Sequence, residues 1–250
     1  IVRLMQEMGE TLRLPDSFVL IEFVGTFAFA ISGVRLASAK RFDIFGAWII
    51  GLATAIGGGT LRDLMLGVNP FWMTNGSYFV CCAFAVFWVM CFGKYLIRQK
   101  NTWFVFDTVG LALFNVIGIE KTINMGFPYW TAVTMGCITG AAGGIIRDVL
   151  INEVPLIFRK EIYALACVAG GIIYVACEYL GFSAEISALL SIIMVILMRT
   201  LAVKFQWCLP VLKGEGMVLL FLFYPFAASA QVNKTFDGNV RSLQVVVDDN

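Results

Sequence analysis

The chain matches itself, without a gap, when it is shifted by 85 positions. Val24-Gly25 meets Val109-Gly110, Gly33 meets Gly118, Gly51 meets Gly136 and Thr54 meets Thr139. Gly58-Gly59 meets Gly143-Gly144, Arg62-Asp63 meets Arg147-Asp148, Pro70 meets Pro155, Tyr78 meets Tyr163 and Cys82 meets Cys167. Glu22 meets Asp107, which keeps the charge. Apolar segments share Leu, Ile and Ala by chance; Gly, Arg, Asp and Pro in register require a duplicated unit.

The register falls on apolar runs. Of the 250 residues, 60% are hydrophobic and 14% charged, and the mean hydropathy is +0.85. Soluble domains are roughly 45–50% apolar and about 25% charged. One core cannot hide such a surplus, so an integral membrane protein is expected. Length and apolarity predict seven spans, at 18–34, 44–67, 78–97, 103–119, 129–151, 162–180 and 183–203. Residues 1–17 form a lead-in, 18–97 and 103–180 the two repeats, 98–102 their linker, 181–210 the seventh helix and 211–250 a C-terminal extension. Within that extension Gly216–Ala230 is apolar but short and interrupted by Pro225, as in a reentrant or interfacial piece. Three spans per repeat is odd, so the second copy enters the membrane from the opposite side. The expected fold is therefore an all-α integral membrane protein: seven transmembrane helices, two inverted three-helix repeats plus a seventh helix.

Leaving aside Arg62, Arg147 and the far tail, eleven Lys and Arg lie on one side of these spans and three on the other. That asymmetry predicts an outside N-terminus and a cytoplasmic C-terminus. The net charge of +1 gives no bulk electrostatic case for nucleic acid. There is no histidine, which removes the commonest general base and zinc ligand. The seven cysteines form no C-x-x-C pair and read as small buried hydrophobes. "GGG" precedes no Lys-Ser/Thr, so it is not a phosphate loop. No enzyme, cofactor or metal site is expected.

Gly57, Gly58 and Gly59 sit near the middle of the second span, and Gly143 and Gly144 near the middle of the fifth. Each glycine costs about 1 kcal/mol relative to Ala in a helix, so broken helices are expected there. A break must be packed in protein or line a wet cavity, where free helix-end groups can face an ion. Close helix approach accounts for Gly25, Gly33, Gly51, Gly110, Gly118 and Gly136, but poorly for three adjacent glycines. Arg62 and Arg147 lie one turn past the glycines, with Asp63 and Asp148 beside them. Each such charge within a span costs about 2.5–3.5 kcal/mol on insertion scales. Adjacent helical residues point in different directions, so Arg62 is not expected to pair with Asp63. The expected partners are the inverted mate, or Glu22 and Asp107. Two roles stay open for these charges, a pore-facing gate and a bracing network. Thr26, Ser32, Thr54, Asn115 and Thr139 are weaker signals, because Ser and Thr often bond their own helix backbone.

The paired "GGGTLRD" and "GGIIRD", the inverted repeat and the seventh span resemble the trimeric intracellular cation channel (TRIC) family, its prokaryotic members in particular, over about Phe18 to Pro210. The resemblance implies a homotrimer in a prokaryotic inner or plasma membrane, in contact with membrane lipid. It implies an hourglass pore in each protomer, lined by glycine-kinked spans 2 and 5 and passing potassium, with sodium as a second ion. Arg-Asp stands here where animal members carry a lysine-containing motif, so their lipid regulation is not carried over. The alternative is a secondary transporter of a small zwitterion such as glycine, with arginine binding its carboxylate and an acid its ammonium.

Overall fold

A computed structural model of the chain describes residues 16–98, 102–159 and 162–207. Its elements are helices α1 (Asp16–Ala39), α2 (Ile44–Met65), α3 (Phe71–Thr74), α4 (Ser77–Arg98), α5 (Thr102–Asn124), α6 (Tyr129–Leu150), a 3-10 turn (Leu156–Phe158), α7 (Ala164–Tyr179) and α8 (Ala184–Lys204). Helices α1, α2, α5, α6 and α8 are long and apolar enough to cross a membrane, while α7 and the apolar part of α4 are shorter. The protein is an all-α membrane protein. The lead-in up to residue 15, Cys208 and the 211–250 extension with Gly216–Ala230 lie outside the described residues.

Two helices outrun their expected ends. Helix α1 continues to Ala39 and α5 to Asn124. Polar Glu120, Lys121, Thr122 and Asn124 stay helical because each side chain finds a partner within the bundle.

The expected helix breaks are absent. Helix α2 runs uninterrupted through Gly57, Gly58 and Gly59, and α6 through Gly143 and Gly144. Among the described residues, positive φ occurs only at Arg41, Gly67, Gly126, Asn152, Gly181 and Gln206, all outside the helix interiors. Packing explains the glycines instead. A Cβ on Gly58 would collide with the Thr139 carbonyl oxygen, and one on Gly143 with the Thr54 carbonyl oxygen. These two contacts are mates under the 85-residue shift, and they make α2 and α6 cross antiparallel with their backbones touching. The close approach offsets the poor helix propensity of glycine.

The same reciprocity joins α1 to α5. Gly25 packs on Phe114, and Gly110 on Phe29. The Phe29 and Phe114 rings, themselves mates, stack with centroids 5.4 Å apart. Residues that touch their own mates lie on the pseudo-two-fold axis. Within each repeat, Gly33 meets Gly51 and Thr54 as Gly118 meets Gly136 and Thr139. Thr26, Thr54 and Thr139 each donate to the carbonyl one turn back, so they serve their own helices.

Candidate functional site

The twin Arg-Asp motifs sit where α2 and α6 end, and both helices end alike. Gly67 and its mate Asn152 adopt φ of 73° and 57°, the left-handed conformation that Gly and Asn tolerate best. Val68 N–H donates to Asp63 O at 2.9 Å and Gly67 N–H to Leu64 O at 3.2 Å. Glu153 N–H donates to Asp148 O at 2.8 Å and Asn152 N–H to Val149 O at 3.0 Å. Pro70 and Pro155 then turn the chain. Asp63 Oδ2 accepts from Phe71 N–H at 2.8 Å, and Asp148 Oδ2 from Leu156 N–H at 3.1 Å. Each aspartate thus satisfies the first amide of the next helical turn, and its other oxygen faces back to the arginine.

At the α2 end, Arg62 Nε donates to Asp63 Oδ1 at 2.7 Å and Nη2 to Glu22 Oε1 at 3.4 Å. Lys121 Nζ, from α5, donates to the same Asp63 Oδ1 at 2.8 Å. Tyr78 Oη donates to Glu22 Oε2 at 2.8 Å, and its ring stacks on Phe23 and meets Phe71 edge-on. The Arg62 guanidinium lies 5.6 Å from the Phe71 ring centre, within cation–π range.

At the α6 end, Arg147 Nε donates to Asp148 Oδ1 at 2.9 Å, and Nη1 to Asp107 Oδ1 at 2.6 Å and Ser32 Oγ at 2.7 Å. Arg199 Nη2, from α8, donates to Asp107 Oδ2 at 3.0 Å. Its guanidinium is sandwiched between Phe104 and Tyr163, at 4.7 and 4.6 Å from their ring centres. Each cluster therefore holds two cations and two carboxylates and is neutral as a whole. That neutrality lets charge stay inside an apolar bundle. Because α2 and α6 run antiparallel, the clusters occupy opposite ends of their crossing.

Glu22 and Asp107 are the partners the sequence suggested. The expectation that Arg62 does not pair with Asp63 is corrected, since each arginine also pairs with the aspartate beside it. Cβ directions set the expectation, but a guanidinium on three methylenes curls back over its own backbone to reach the next side chain. Lys121 and Arg199 are among the fourteen charges of the positive-inside comparison, which treats them as flanking the spans, yet Arg199 is 1% exposed. Its position inside the expected 183–203 span was the available signal. The two tyrosines, mates in the repeat, were visible in sequence without a role.

The tyrosines differ in one respect that can be tested. The Tyr78 hydroxyl serves Glu22, whereas the buried Tyr163 hydroxyl has no hydrogen-bond partner among the described residues. Tyr78→Phe should cost about 1.5–3 kcal/mol of stability, the worth of a hydrogen bond to a charged group, and Tyr163→Phe should be neutral or slightly stabilising. Thermal melting of the two purified variants checks this; equal shifts would contradict it.

Beside the α6-end cluster lies a cavity of about 290 Å³ that reaches Asp148 and Trp103. At its rim Lys40 Nζ meets Glu153 at 2.5 Å and Arg159 meets Glu153 at 3.5 Å. The hydrogen bond and the charge of Lys40 hold the exposed Glu153 carboxyl below the usual carboxylate range.

The glycine-transporter family model matches the chain twice, at residues 19–94 and 104–179. The two matches stand 85 positions apart, the spacing of the internal repeat. An Escherichia coli K12 relative, the UPF0126 inner membrane protein YadS, is 41% identical over 198 residues, covering 76% of this chain and 93% of its own. A UPF0126 membrane protein of Vibrio cholerae is 38% identical over 211 residues, covering 81% and 85% respectively. The solved TRIC orthologue from Rhodobacter sphaeroides superposes with a TM-score of 0.73 at 32% identity, over 77% of this chain and 100% of that one. The chain belongs to the TRIC family. The TRIC channels that it matches are not enzymes, and neither is this protein.

Proposed function

We propose that the chain forms a homotrimeric channel for monovalent cations, chiefly potassium with sodium, with one conduction path in each protomer along the α2–α6 crossing. The observation that carries this reading is a neutral, buried Arg–carboxylate cluster at each end of that crossing. Arg62, Asp63, Asp107 and Arg147 are all 0% exposed, so this conformation is a closed one. Buried ion pairs are poor stabilisers, because desolvation cancels most of the attraction, and a switching role is their better-attested use. Drawing an arginine out of either cluster would leave carboxylates facing the path, a local negative charge that admits cations and rejects anions. The likeness to the trimeric intracellular cation channel orthologue of Rhodobacter sphaeroides, over its full length, supports the channel and the trimer. The positive-inside bias supports an outside N-terminus, and YadS, an inner membrane protein, supports that membrane.

Purified protein in a planar bilayer should carry unitary cation currents whose reversal potential follows the potassium gradient. Folded trimers without such currents would overturn the proposal. One observation favours a second reading, transport of a small zwitterion such as glycine. Both ends of the crossing are sealed at once, as alternating access requires of its occluded state, and the family model's description agrees. Saturable glycine uptake into liposomes without unitary conductance would select that reading.

A further inference from the structure

We infer that the α2-end cluster is the moving gate and the α6-end cluster a fixed brace, and that the symmetry-related pair Ser32 and Ile117 sets this difference. The inference rests on the channel reading and assigns the two halves of its path unequal work.

At the α6 end the hydrogen bonds of the arginine are shorter and more numerous, although one terminal nitrogen of each arginine, Arg147 Nη2 and Arg62 Nη1, makes no hydrogen bond among the described residues. Arg147 Nη1 has both Asp107 and Ser32 as acceptors, Nε has Asp148, and Nη2 lies 2.8 Å from the same carboxylate. Ser32 donates weakly, at 3.5 Å, to the Trp103 carbonyl, and Asp107 is held by Arg199 at 3.0 Å. At the α2 end the hold is looser. Arg62 Nη2 reaches Glu22 only at 3.4 Å, beyond the 2.7–2.9 Å usual for charge-assisted bonds. Its unbonded Nη1 has no ion-pair contact among the described residues either, whereas the unbonded Arg147 Nη2 still lies beside Asp148. The mate of Ser32 under the repeat is Ile117, which shares an apolar cluster with Phe18, the mate of Trp103, so the position that supplies Arg147 with a hydroxyl carries no hydrogen-bonding group in the half that holds Arg62.

The counter-ions differ in the same sense. Asp63 Oδ1 is shared between Arg62 and Lys121, and the Lys121 side chain is 11% exposed. Lys121 can hold Asp63 when Arg62 leaves. Asp148 has no second cation among the described residues. Withdrawing Arg62 therefore strands less charge than withdrawing Arg147, and it breaks fewer good hydrogen bonds.

The test is an isosteric pair, Ile117→Thr against Ile117→Val. The threonine hydroxyl can give its proton to its own helix, as Thr122 does to Gly118, and offer its oxygen to Arg62. At matched melting temperatures the Thr variant should show an open probability about tenfold lower than the Val variant, the effect of one hydrogen bond to a charged group, with single-channel conductance unchanged. Ser32→Ala, which removes the hydroxyl that holds Arg147, should speed guanidinium rotation at Arg147 while leaving that at Arg62 as in wild type. Equal open probability in the Thr and Val variants, or unchanged Arg147 rotation in Ser32→Ala, would overturn the assignment. If position 117 tolerates neither residue, Ile117→Ser against Ile117→Ala makes the same comparison.

A readout free of conduction separates this inference from the channel reading. In protein labelled with 15N-arginine, guanidinium rotation should be faster at Arg62 than at Arg147, and slower at Arg62 in the Thr variant than in the Val variant. Equal rotation at both arginines sinks the inference. Loss of all current with unequal rotation sinks the channel reading alone.

Discussion

Arg147→Ala is expected to lower stability by about 3–5 kcal/mol, the cost of removing one partner from a buried ion pair. The variant would leave Asp107 with Arg199, but Asp148 with only the Leu156 amide. A carboxylate in that position must shed its charge or open the bundle. Arg62→Ala is expected to cost clearly less. Asp63 keeps both Lys121 and the Phe71 amide, and Glu22 keeps the Tyr78 hydroxyl. Unfolding of the purified variants in detergent, followed by tryptophan fluorescence, gives the comparison. Equal losses would show that the two clusters bear equal structural load.

The second large effect is expected at the helix crossing. Gly58→Ala and Gly143→Ala each drive a methyl group into a carbonyl oxygen of the facing helix. Backbone cannot rotate away as a side chain can, so α2 and α6 must separate. Overpacking of this kind typically costs about 1–3 kcal/mol, and rigid backbone on both sides places these sites at the upper end. Gly57→Ala is the control. Its methyl would meet only the flexible tip of Ile146, and alanine's better helix propensity, about 1 kcal/mol, works in its favour. Melting temperatures should fall sharply for positions 58 and 143 and little for 57. Similar losses at all three would indicate that glycine flexibility, rather than contact, is what these helices need.

Polar residues in register revealed the repeat, and with it the antiparallel halves and the partners Glu22 and Asp107. Such residues are too costly in a membrane to recur by accident. The state of the glycines was not legible. Helix propensity describes a residue in isolation, whereas Gly58 and Gly143 are fixed by a carbonyl on another helix more than eighty residues away in sequence. Nor could the sequence weigh the reach of a long side chain, which is how Arg62 comes to hold its own neighbour. Lys121 and Arg199 near helix ends look the same whether they face solvent or the bundle.

The stacked pair Phe29 and Phe114 has a further consequence for descent. Mates in contact are what a homodimer of a single three-helix chain would present, inserted in both orientations. In such a dimer every substitution is felt twice, once on each side of the membrane. A serine that secures one arginine would secure the other, and both ends would be equally stiff. Fusing two copies into one gene lifts that restriction. Ser32 and Ile117 could then diverge, Lys121 and Arg199 could be recruited to different ends, and the two mouths could acquire separate properties. The unequal clusters are the record of that freedom, and a reconstructed symmetric ancestor would have had to open, if it opened at all, from both sides alike.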